Sequence, residues 1–160
     1  DEDENIITAL SWRSDGTFLA VRTQKGEISL WEVLTEQQTV SWSAYKGTIT
    51  ALQWHINGKQ LLSLDNQGTL RLWEVYTGKV SLEIQTKLPT QTLAWNGESS
   101  LVALLASDGS VSVWNIKEKK EIENLLAHQG GIKAIDWSPD GKYLATVGED
   151  ELVRIWTDFS

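Results

Sequence analysis

Short apolar runs separated by tight-turn residues recur along the whole chain. The runs at 49–54, 61–64 and 69–75, for example, are joined by turns that contain Asn57-Gly58 and Gln67-Gly68. Such dipeptides accept the positive φ angles of tight hairpins. No stretch shows an apolar stripe at helical spacing over a useful length, so the pattern predicts an all-β chain.

Some of the predicted strands are apolar on both faces. Residues 61–64 and 101–106 are nearly continuous apolar runs, whereas a strand with one wet face would alternate polar and apolar positions. These strands therefore belong to sheets that are covered on both sides. Four-stranded blades, stacked side by side in a radial arrangement, satisfy that requirement.

The tryptophans divide the chain into four repeats. Eight of the nine form pairs whose members are 19 residues apart, and the pairs recur with periods of 42, 41 and 42 residues. The eight repeat tryptophans are Trp12, Trp31, Trp54, Trp73, Trp95, Trp114, Trp137 and Trp156. A fixed period of this size indicates a repeat architecture. We interpret these tryptophans as core residues between blades rather than as a stacking platform for single-stranded nucleic acid. Trp42 lies outside the period and is expected to be the most exposed tryptophan.

Each repeat is expected to be a four-stranded meander. Fourth, outer strands are predicted at 38–44, 79–85 and 121–127. The predicted divisions are an acidic N-terminal tail at 1–5, blade 1 at 6–47, blade 2 at 48–88, blade 3 at 89–130 and blade 4 at 131–160. Blade 4 is expected to be incomplete because no outer strand follows its third strand.

The repeats resemble WD40 repeats over residues 6–158, and the fourth resembles them best. Its matching elements are Ala127-His128, Ser138-Pro139-Asp140-Gly141, Leu144-Ala145-Thr146, Asp150 and Trp156. The resemblance implies a hydrogen-bonded structural tetrad of His128, Thr146, Asp150 and Trp156. A buried imidazole and a buried indole each need a partner, which such a network supplies.

The first three repeats depart from this pattern. Their histidine position holds Asp3, Tyr45 and Thr86, and their aspartate position holds Lys25, Gln67 and Asp108. The full tetrad is therefore expected in the fourth repeat alone. A tryptophan at the end of every inner strand is a fainter similarity to the transducin-β-like subunits of corepressor complexes, whose propellers have eight blades.

Four repeats are about half of the seven or eight that close a WD40 ring. An open half-ring would expose apolar faces on its two terminal blades. Two copies could form an eight-bladed ring, and we expect this homodimer. Two alternatives are a fragment of a longer chain and four blades that close alone.

Composition and charge exclude several classes of function. The chain has 160 residues, 14 basic and 22 acidic side chains, and a formal net charge of −8, which argues against nucleic acid or an anionic membrane as a partner. It has no cysteine, no nucleotide-binding or nucleophile-elbow motif and no clustered metal ligands. Of its two histidines, His128 is assigned to the tetrad and His55 to a solvated turn. We expect no enzyme, no cofactor and no metal.

The expected function is a non-catalytic scaffold for protein–protein interaction. The resemblance implies a top face built from two positions in each repeat, namely Thr8, Thr50, Gln91 and Lys133, with Gln24, Asn66, Ser107 and Glu149. A peptide or protein partner would bind there. The alternatives are an engineered or excised half-propeller with no ligand, which the absence of methionine favours, and a propeller enzyme. The chain shows neither a signal peptide nor an apolar run that could span a bilayer, so we expect an intracellular protein, cytoplasmic or nuclear.

Overall fold

The computed structural model describes residues 6–44, 48–87, 89–97, 99–126 and 128–159. Throughout these ranges the regular structure consists of β-strands, which confirms the predicted all-β class. The chain forms two compact units, Asp1–Lys87 and Leu88–Ser160. The predicted acidic tail at 1–5 lies outside the described residues.

The first unit contains two four-stranded antiparallel sheets. The strands of the first sheet are β1 (Ile7–Trp12), β2 (Phe18–Thr23), β3 (Glu27–Glu32) and β4 (Gln37–Ser43). Those of the second are β5 (Ile49–Trp54), β6 (Gln60–Asp65), β7 (Thr69–Glu74) and β8 (Lys79–Gln85). In both sheets the strands are ordered as they follow in the sequence, so each sheet is a simple meander.

The second unit contains a four-stranded and a three-stranded sheet, both antiparallel meanders. The strands are β9 (Thr90–Trp95), β10 (Leu101–Ala106), β11 (Val111–Asn115) and β12 (Lys120–Leu125), followed by β13 (Ile132–Trp137), β14 (Leu144–Gly148) and β15 (Val153–Trp156). The last sheet has three strands within the described residues, as expected for blade 4.

The outer strands agree closely with the prediction. The segment 79–85 is β8, whereas β4 starts one residue before the predicted 38–44 and β12 covers 120–125 rather than 121–127. The predicted end at Ala127 lies outside the described residues.

Tight turns connect the second and third strands of each sheet. Gly26, Gly68 and Gly109 occupy the same turn position with φ of 80°, 83° and 82°. Glu151 takes that position in the last sheet, with φ of 61°. A residue with a Cβ is strained in this left-handed region, which explains the glycine in the first three repeats. The fourth repeat places a non-glycine residue there.

The central strands form the core of each unit. Leu61, Leu62 and Leu64 of β6 are fully buried, and β10 is buried from Val102 onward. In the first unit one apolar cluster joins β2 and β3 to β5 and β6; in the second unit an equivalent cluster joins β10 and β11 to β13 and β14. Strands that are apolar on both faces are thus covered on both faces, as their sequence predicted.

Two tryptophans differ from expectation. Trp12 is 55% exposed, because it lies on the side of the first sheet against which no earlier sheet packs among the described residues. Trp42, expected to be exposed, is half-buried and packs on Trp73, with ring centroids 5.8 Å apart. Strand β4 places Trp42 against the second sheet. Packing the indole there removes apolar surface from water, which favours the contact over an exposed side chain. Five repeat tryptophans are buried: Trp54, Trp73, Trp95, Trp114 and Trp137.

Candidate functional site

The eight predicted top-face positions, here called the rim residues, occupy two recurring backbone environments. In all four sheets the first strand carries a register shift after its first residue. The residue left unpaired in that bulge is Thr8 in β1, Thr50 in β5, Gln91 in β9 and Lys133 in β13. A bulge bends the strand and redirects a side chain, so each of these residues is aimed away from the regular pleat.

The other four rim residues directly follow the second strand of each sheet. Their backbone N–H groups donate to the carbonyl before the first strand: Gln24 to Ile6, Asn66 to Thr48, Ser107 to Pro89 and Glu149 to Gly131, at 2.8–3.0 Å. This repeated bond places the two rim positions of each sheet at the same end of the sheet. The bulges that position the first set gave no signal in the sequence, because alternation alone predicts a regular strand.

In the second unit four rim residues surround one cleft. Gln91, Ser107, Lys133 and Glu149 line a depression of about 550 Å³ together with Asp108 and the glycines of two loops. The side chains of Lys133 and Glu149 form an ion pair there, with Nζ and Oε1 2.6 Å apart. The cleft therefore offers amide, hydroxyl and carboxylate groups beside the apolar residues Leu105, Ala106 and Ile132.

Both carboxylates of the cleft are held in the charged form. Hydrogen bonds from the hydroxyl and the backbone N–H of Ser110 keep the pKa of Asp108 below its usual range. The Lys133 ammonium and the N–H of Gly131 likewise lower the pKa of Glu149. Since Lys133 pairs with Glu149, the charged residues that line the cleft in the described part of the chain leave one net negative charge, that of Asp108.

The first unit presents a different set of rim residues. Thr8, Gln24 and Asn66 are exposed and Thr50 is half-buried, its hydroxyl donating to the carbonyl of Leu64 at 3.3 Å. All four are uncharged, and the positions equivalent to Asp108 hold Lys25 and Gln67. The charged residues that line the second-unit cleft thus have uncharged equivalents in the first unit, apart from Lys25.

The four residues of the predicted tetrad lie within hydrogen-bonding distance of one another. His128 Nδ1 lies 2.7 Å from Asp150 Oδ1, and His128 Nε2 lies 2.8 Å from Thr146 Oγ1. The indole N–H of Trp156 donates to Thr146 Oγ1 at 3.1 Å. Every donor has an acceptor if the Trp156 N–H donates to the threonine oxygen, the threonine O–H to Nε2, and Nδ1–H to the carboxylate. The resemblance to WD40 repeats implied this set of four residues, and its role as a structural tetrad stays a prediction.

Asp150 ties this network to the neighbouring loop. Its carboxylate also accepts hydrogen bonds from Arg154 Nη1 at 2.8 Å and from the backbone N–H of Leu152 at 3.2 Å. Partial burial raises the pKa of Asp150, but the bonds from His128 and Arg154 outweigh it and hold that pKa well below its usual range. Gly148 leaves room for the imidazole, since a Cβ there would lie 2.3 Å from the His128 ring. The Asp150 carboxylate thus bonds both His128 and the backbone N–H of Gln129, in the loop that leads into β13.

The other three sheets satisfy the indole of the third strand with a serine. Trp73 donates to Ser63 Oγ at 2.7 Å, Trp114 to Ser112 Oγ at 2.9 Å and Trp31 to Ser29 Oγ at 3.3 Å. The hydroxyl stands ten residues before the tryptophan in the second and fourth sheets, and two residues before it in the first and third. A buried indole N–H without a partner would cost about 1–3 kcal/mol, which explains why each sheet keeps one hydroxyl.

Two further polar residues make structural hydrogen bonds that the sequence analysis did not predict. Arg71, at the position of Arg154, donates to the carbonyl of Ala44 and pairs with Glu83 at 2.7 Å. Asp65 closes the β6–β7 turn by accepting from the backbone N–H groups of Gln67 and Thr69 at 2.9 and 2.7 Å. The repeated Arg-x-Trp spacing in the second and fourth repeats was the signal for the arginines.

His55, expected to be solvated, is half-buried, and its Nδ1 accepts from the N–H of Asn57.

The candidate site is built from hydrogen-bonding and charged side chains. No group of three or more metal-ligating side chains is found among the described residues. The ionised groups of the second-unit cleft are fixed by ion pairing and backbone bonds. The part of the chain that the structure describes also contains no helix that is long and apolar enough to cross a membrane.

Comparison with known proteins identifies the class. A protein-family model described as "Nucleolar protein 10-like, N-terminal domain", a β-propeller, matches residues 1–118, and the model "WD domain, G-beta repeat" matches residues 119–157. The chain therefore belongs to the WD-repeat β-propeller proteins of the nucleolar protein 10-like family. The predicted WD40 resemblance is confirmed.

Individual relatives match parts of longer proteins. Protein hir1 of Schizosaccharomyces pombe is 38% identical over 72 residues, 44% of this chain and 8% of hir1. The WD repeat-containing protein srw1 of the same organism is 28% identical over 155 residues, 95% of this chain and 28% of srw1. U3 small nucleolar RNA-associated protein 7 of Saccharomyces cerevisiae is 33% identical over 81 residues, 50% of this chain and 15% of that protein. The chain thus spans less than a third of each of these relatives.

Proposed function

We propose that this chain is a non-catalytic, intracellular WD-repeat scaffold that binds a protein partner through its rim residues. One observation carries the proposal: each sheet builds its two rim positions by the same bulge and the same backbone hydrogen bond. The positions are thus fixed by the backbone while their side chains vary from sheet to sheet. A rigid frame with variable loop residues is suited to recognition. Names of relatives such as U3 small nucleolar RNA-associated protein 7 support an intracellular setting.

The second-unit cleft supports a partner with polar and basic side chains. Asp108 is the carboxylate without a cationic partner among the lining residues, and Gln91 and Ser107 offer exposed hydrogen-bonding groups beside it. An extended peptide could place a lysine or arginine against Asp108 and its backbone against Gln91. The charge-assisted bond would provide the larger part of the specificity.

We also propose that a second copy of the chain completes an eight-bladed ring, with blades at 6–47, 48–88, 89–130 and 131–160. Exposed apolar residues on the first strand of the first sheet and on the last strand of the last sheet support this proposal, as does membership of a β-propeller family. Monomeric soluble proteins rarely leave large apolar patches uncovered.

Peptide binding tests the rim directly. A peptide selected on a random array should lose about tenfold or more in affinity, measured by fluorescence anisotropy, when Gln91, Ser107 and Asp108 are changed together to alanine. Truncation of a few central contacts commonly costs more than about 1 kcal/mol each.

The matched control changes exposed residues at the opposite end of the same sheet. Lys117→Ala combined with Glu118→Ala lies in the β11–β12 turn and should leave the affinity unchanged. An array without a binding peptide would contradict the scaffold proposal. Equal affinities of wild type and rim variants would show that the rim is not the binding surface.

A further inference from the structure

Arg22, in β2, is a buried cation without a carboxylate beside it in the part of the chain that the structure describes. The residue is 9% exposed, and its Nε and Nη1 atoms are buried with no hydrogen-bond partner there. Burial lowers the pKa of the guanidinium, with no opposing effect from an acidic group of the described residues. A buried charge is normally paired, because water no longer solvates it. Arg22 therefore has an unused capacity to bind an anion.

The other arginines of the chain are paired with carboxylates. The three ion pairs are Arg13 Nη2 with Asp15 Oδ2 at 2.6 Å, Arg71 Nε with Glu83 Oε2 at 2.7 Å and Arg154 Nη1 with Asp150 Oδ2 at 2.8 Å. In each of them the chain itself supplies the anion that balances the guanidinium. Arg22 differs from all three in this respect.

The repeat normally places an aliphatic residue where Arg22 stands. Nine residues before the third-strand tryptophan, the second, third and fourth repeats hold Leu64, Leu105 and Val147. All four residues occupy the same register, each facing the second residue of the third strand or its equivalent across the sheet. Packing alone is thus satisfied by leucine or valine at this position. A residue that breaks such a local rule at a cost in stability indicates a function.

Arg22 lies on the face of the first sheet that packs against the second. Ala20, two residues earlier, and Ile28, its cross-strand partner, belong to the cluster that joins these two sheets. Side chains two residues apart, or opposite each other on neighbouring strands, share a face. Arg22 also lies two residues before the rim residue Gln24, and its counterpart Leu105 lines the second-unit cleft. The guanidinium is therefore placed between the two sheets of the first unit, towards their rim.

Two acidic residues at this end of the first unit do not neutralise Arg22. Glu27 lines a depression on the opposite face of the first sheet, because side chains alternate along β3. Asp65 accepts hydrogen bonds from two backbone N–H groups of its own turn. The rim residues of the first unit are uncharged: Thr8, Gln24, Thr50 and Asn66. An anion from outside the chain would thus meet a cation that no described carboxylate already holds.

We propose that Arg22 binds a carboxylate of a protein partner, an aspartate or glutamate side chain that reaches between the two sheets of the first unit at the rim. This inference rests on the proposed scaffold function and assigns a ligand class to the first unit. A guanidinium matches a carboxylate in shape and hydrogen bonding, and the two charges balance. A phosphate group at neutral pH would leave negative charge over. A long side chain that no hydrogen bond fixes can turn its head towards the ligand.

Titration with a capped hexaglutamate peptide tests this site. The peptide should shift the Arg22 side-chain Nε–H resonance of the wild-type chain in NMR spectra and slow its exchange with water. Loss of that resonance in Arg22→Leu assigns it. Capped hexaglutamine, which has the same length and no charge, should leave the resonance unchanged. Because the contact is between charges, the affinity for hexaglutamate should also fall with added salt.

Three variants give the affinity a structural control. Arg22→Leu introduces the residue found at the equivalent positions of the second and third sheets, so its unfolding temperature should equal or exceed that of the wild type. It should weaken hexaglutamate binding about tenfold or more in titration calorimetry. Arg22→Lys keeps the charge without the planar fork and should give an intermediate affinity. Lys79→Leu removes an equal charge from an exposed position at the other end of the unit and should change nothing.

Several outcomes would overturn the Arg22 site. No binding of hexaglutamate by the wild type, or equal affinities of wild type and Arg22→Leu, would exclude it. Lower unfolding temperatures of both Arg22 variants would show that the arginine stabilises the fold instead. A phosphoserine peptide that binds more than about tenfold tighter than hexaglutamate would replace the carboxylate by a phosphate as the ligand.

The rim variant of the second unit separates this site from the proposed cleft. The chain with Gln91, Ser107 and Asp108 changed to alanine should bind hexaglutamate as the wild type does, and a loss of binding would overturn the Arg22 site. A wild type that binds an array-selected peptide but not hexaglutamate would overturn the Arg22 site alone. Failure of the array together with hexaglutamate binding at Arg22 would instead count against the cleft.

Discussion

Trp137→Ala is expected to lower the free energy of unfolding by about 3–5 kcal/mol, the range for removing a buried aromatic side chain. Trp137 is 7% exposed, contacts Phe159 edge to face with centroids 5.0 Å apart, and donates to the carbonyl of Ala94. The substitution leaves a cavity and an unpaired carbonyl in the same place. Chemical denaturation followed by circular dichroism measures the change.

The control for Trp137→Ala is the same truncation at the equivalent position of the first sheet. Trp12→Ala, measured at a dilution where chains are separate, should cost less than about 1 kcal/mol because its ring is already half in water. Equal losses for the two variants would contradict the assignment of Trp137 to the core of the second unit.

Thr146→Val is expected to cost about 2–4 kcal/mol even though the side chain keeps its shape. Thr146 is fully buried and bonds both Trp156 Nε1 and His128 Nε2. Without the hydroxyl, a buried donor and a buried acceptor both lose their partner, and each costs about 1–3 kcal/mol. Denaturation gives the free energy, and the Trp156 indole proton should also exchange faster with solvent.

Thr39→Val is the matched control for Thr146→Val. The Thr39 hydroxyl bonds the carbonyl of Leu30 at 3.3 Å from an exposed position, so its loss should change stability by less than about 0.5 kcal/mol. If Thr146→Val were as mild as this control, the hydrogen-bonded group of the last sheet would not clamp its loop.

The fold could be predicted from the sequence because its signals are periodic. The tryptophan spacing predicted the repeat, and apolar runs such as Leu101–Ala106 predicted strands that are covered on both faces. The first pattern follows from the recurrence of one sheet along the chain, and the second from the burial of both faces of a central strand. The outer strand β8 was predicted to the residue, since Lys79 and Gln85 are bounded by turns.

The exposure of individual tryptophans could not be predicted in the same way. Trp12 repeats the pattern of Trp54, and only the position of its sheet in the chain leaves it half exposed. Trp42 has no periodic equivalent, so nothing in the sequence indicated its contact with Trp73. Burial depends on which surfaces meet, which a strand pattern does not encode.

The position of the candidate site stays a prediction, whereas its backbone geometry could not be predicted from the sequence. The family pattern indicated Gln91 and Lys133, whereas the bulges that redirect them depend on cross-strand register. The serine that accepts the indole hydrogen bond lies on the second strand of the second sheet (Ser63) but on the third strand of the third sheet (Ser112). This difference can be recognised in the sequence only once the geometry is known. Local hydrogen-bond partners can move along a strand without changing the hydrophobic pattern.

The absolute mass of the wild-type chain in solution tests the central claim most directly. Light scattering over a dilution series reports how many copies of the chain associate. The proposed two-copy ring predicts a stable mass of two chains that falls to one chain only at the highest dilution. A soluble chain with the mass of one copy at every concentration would contradict the two-copy ring.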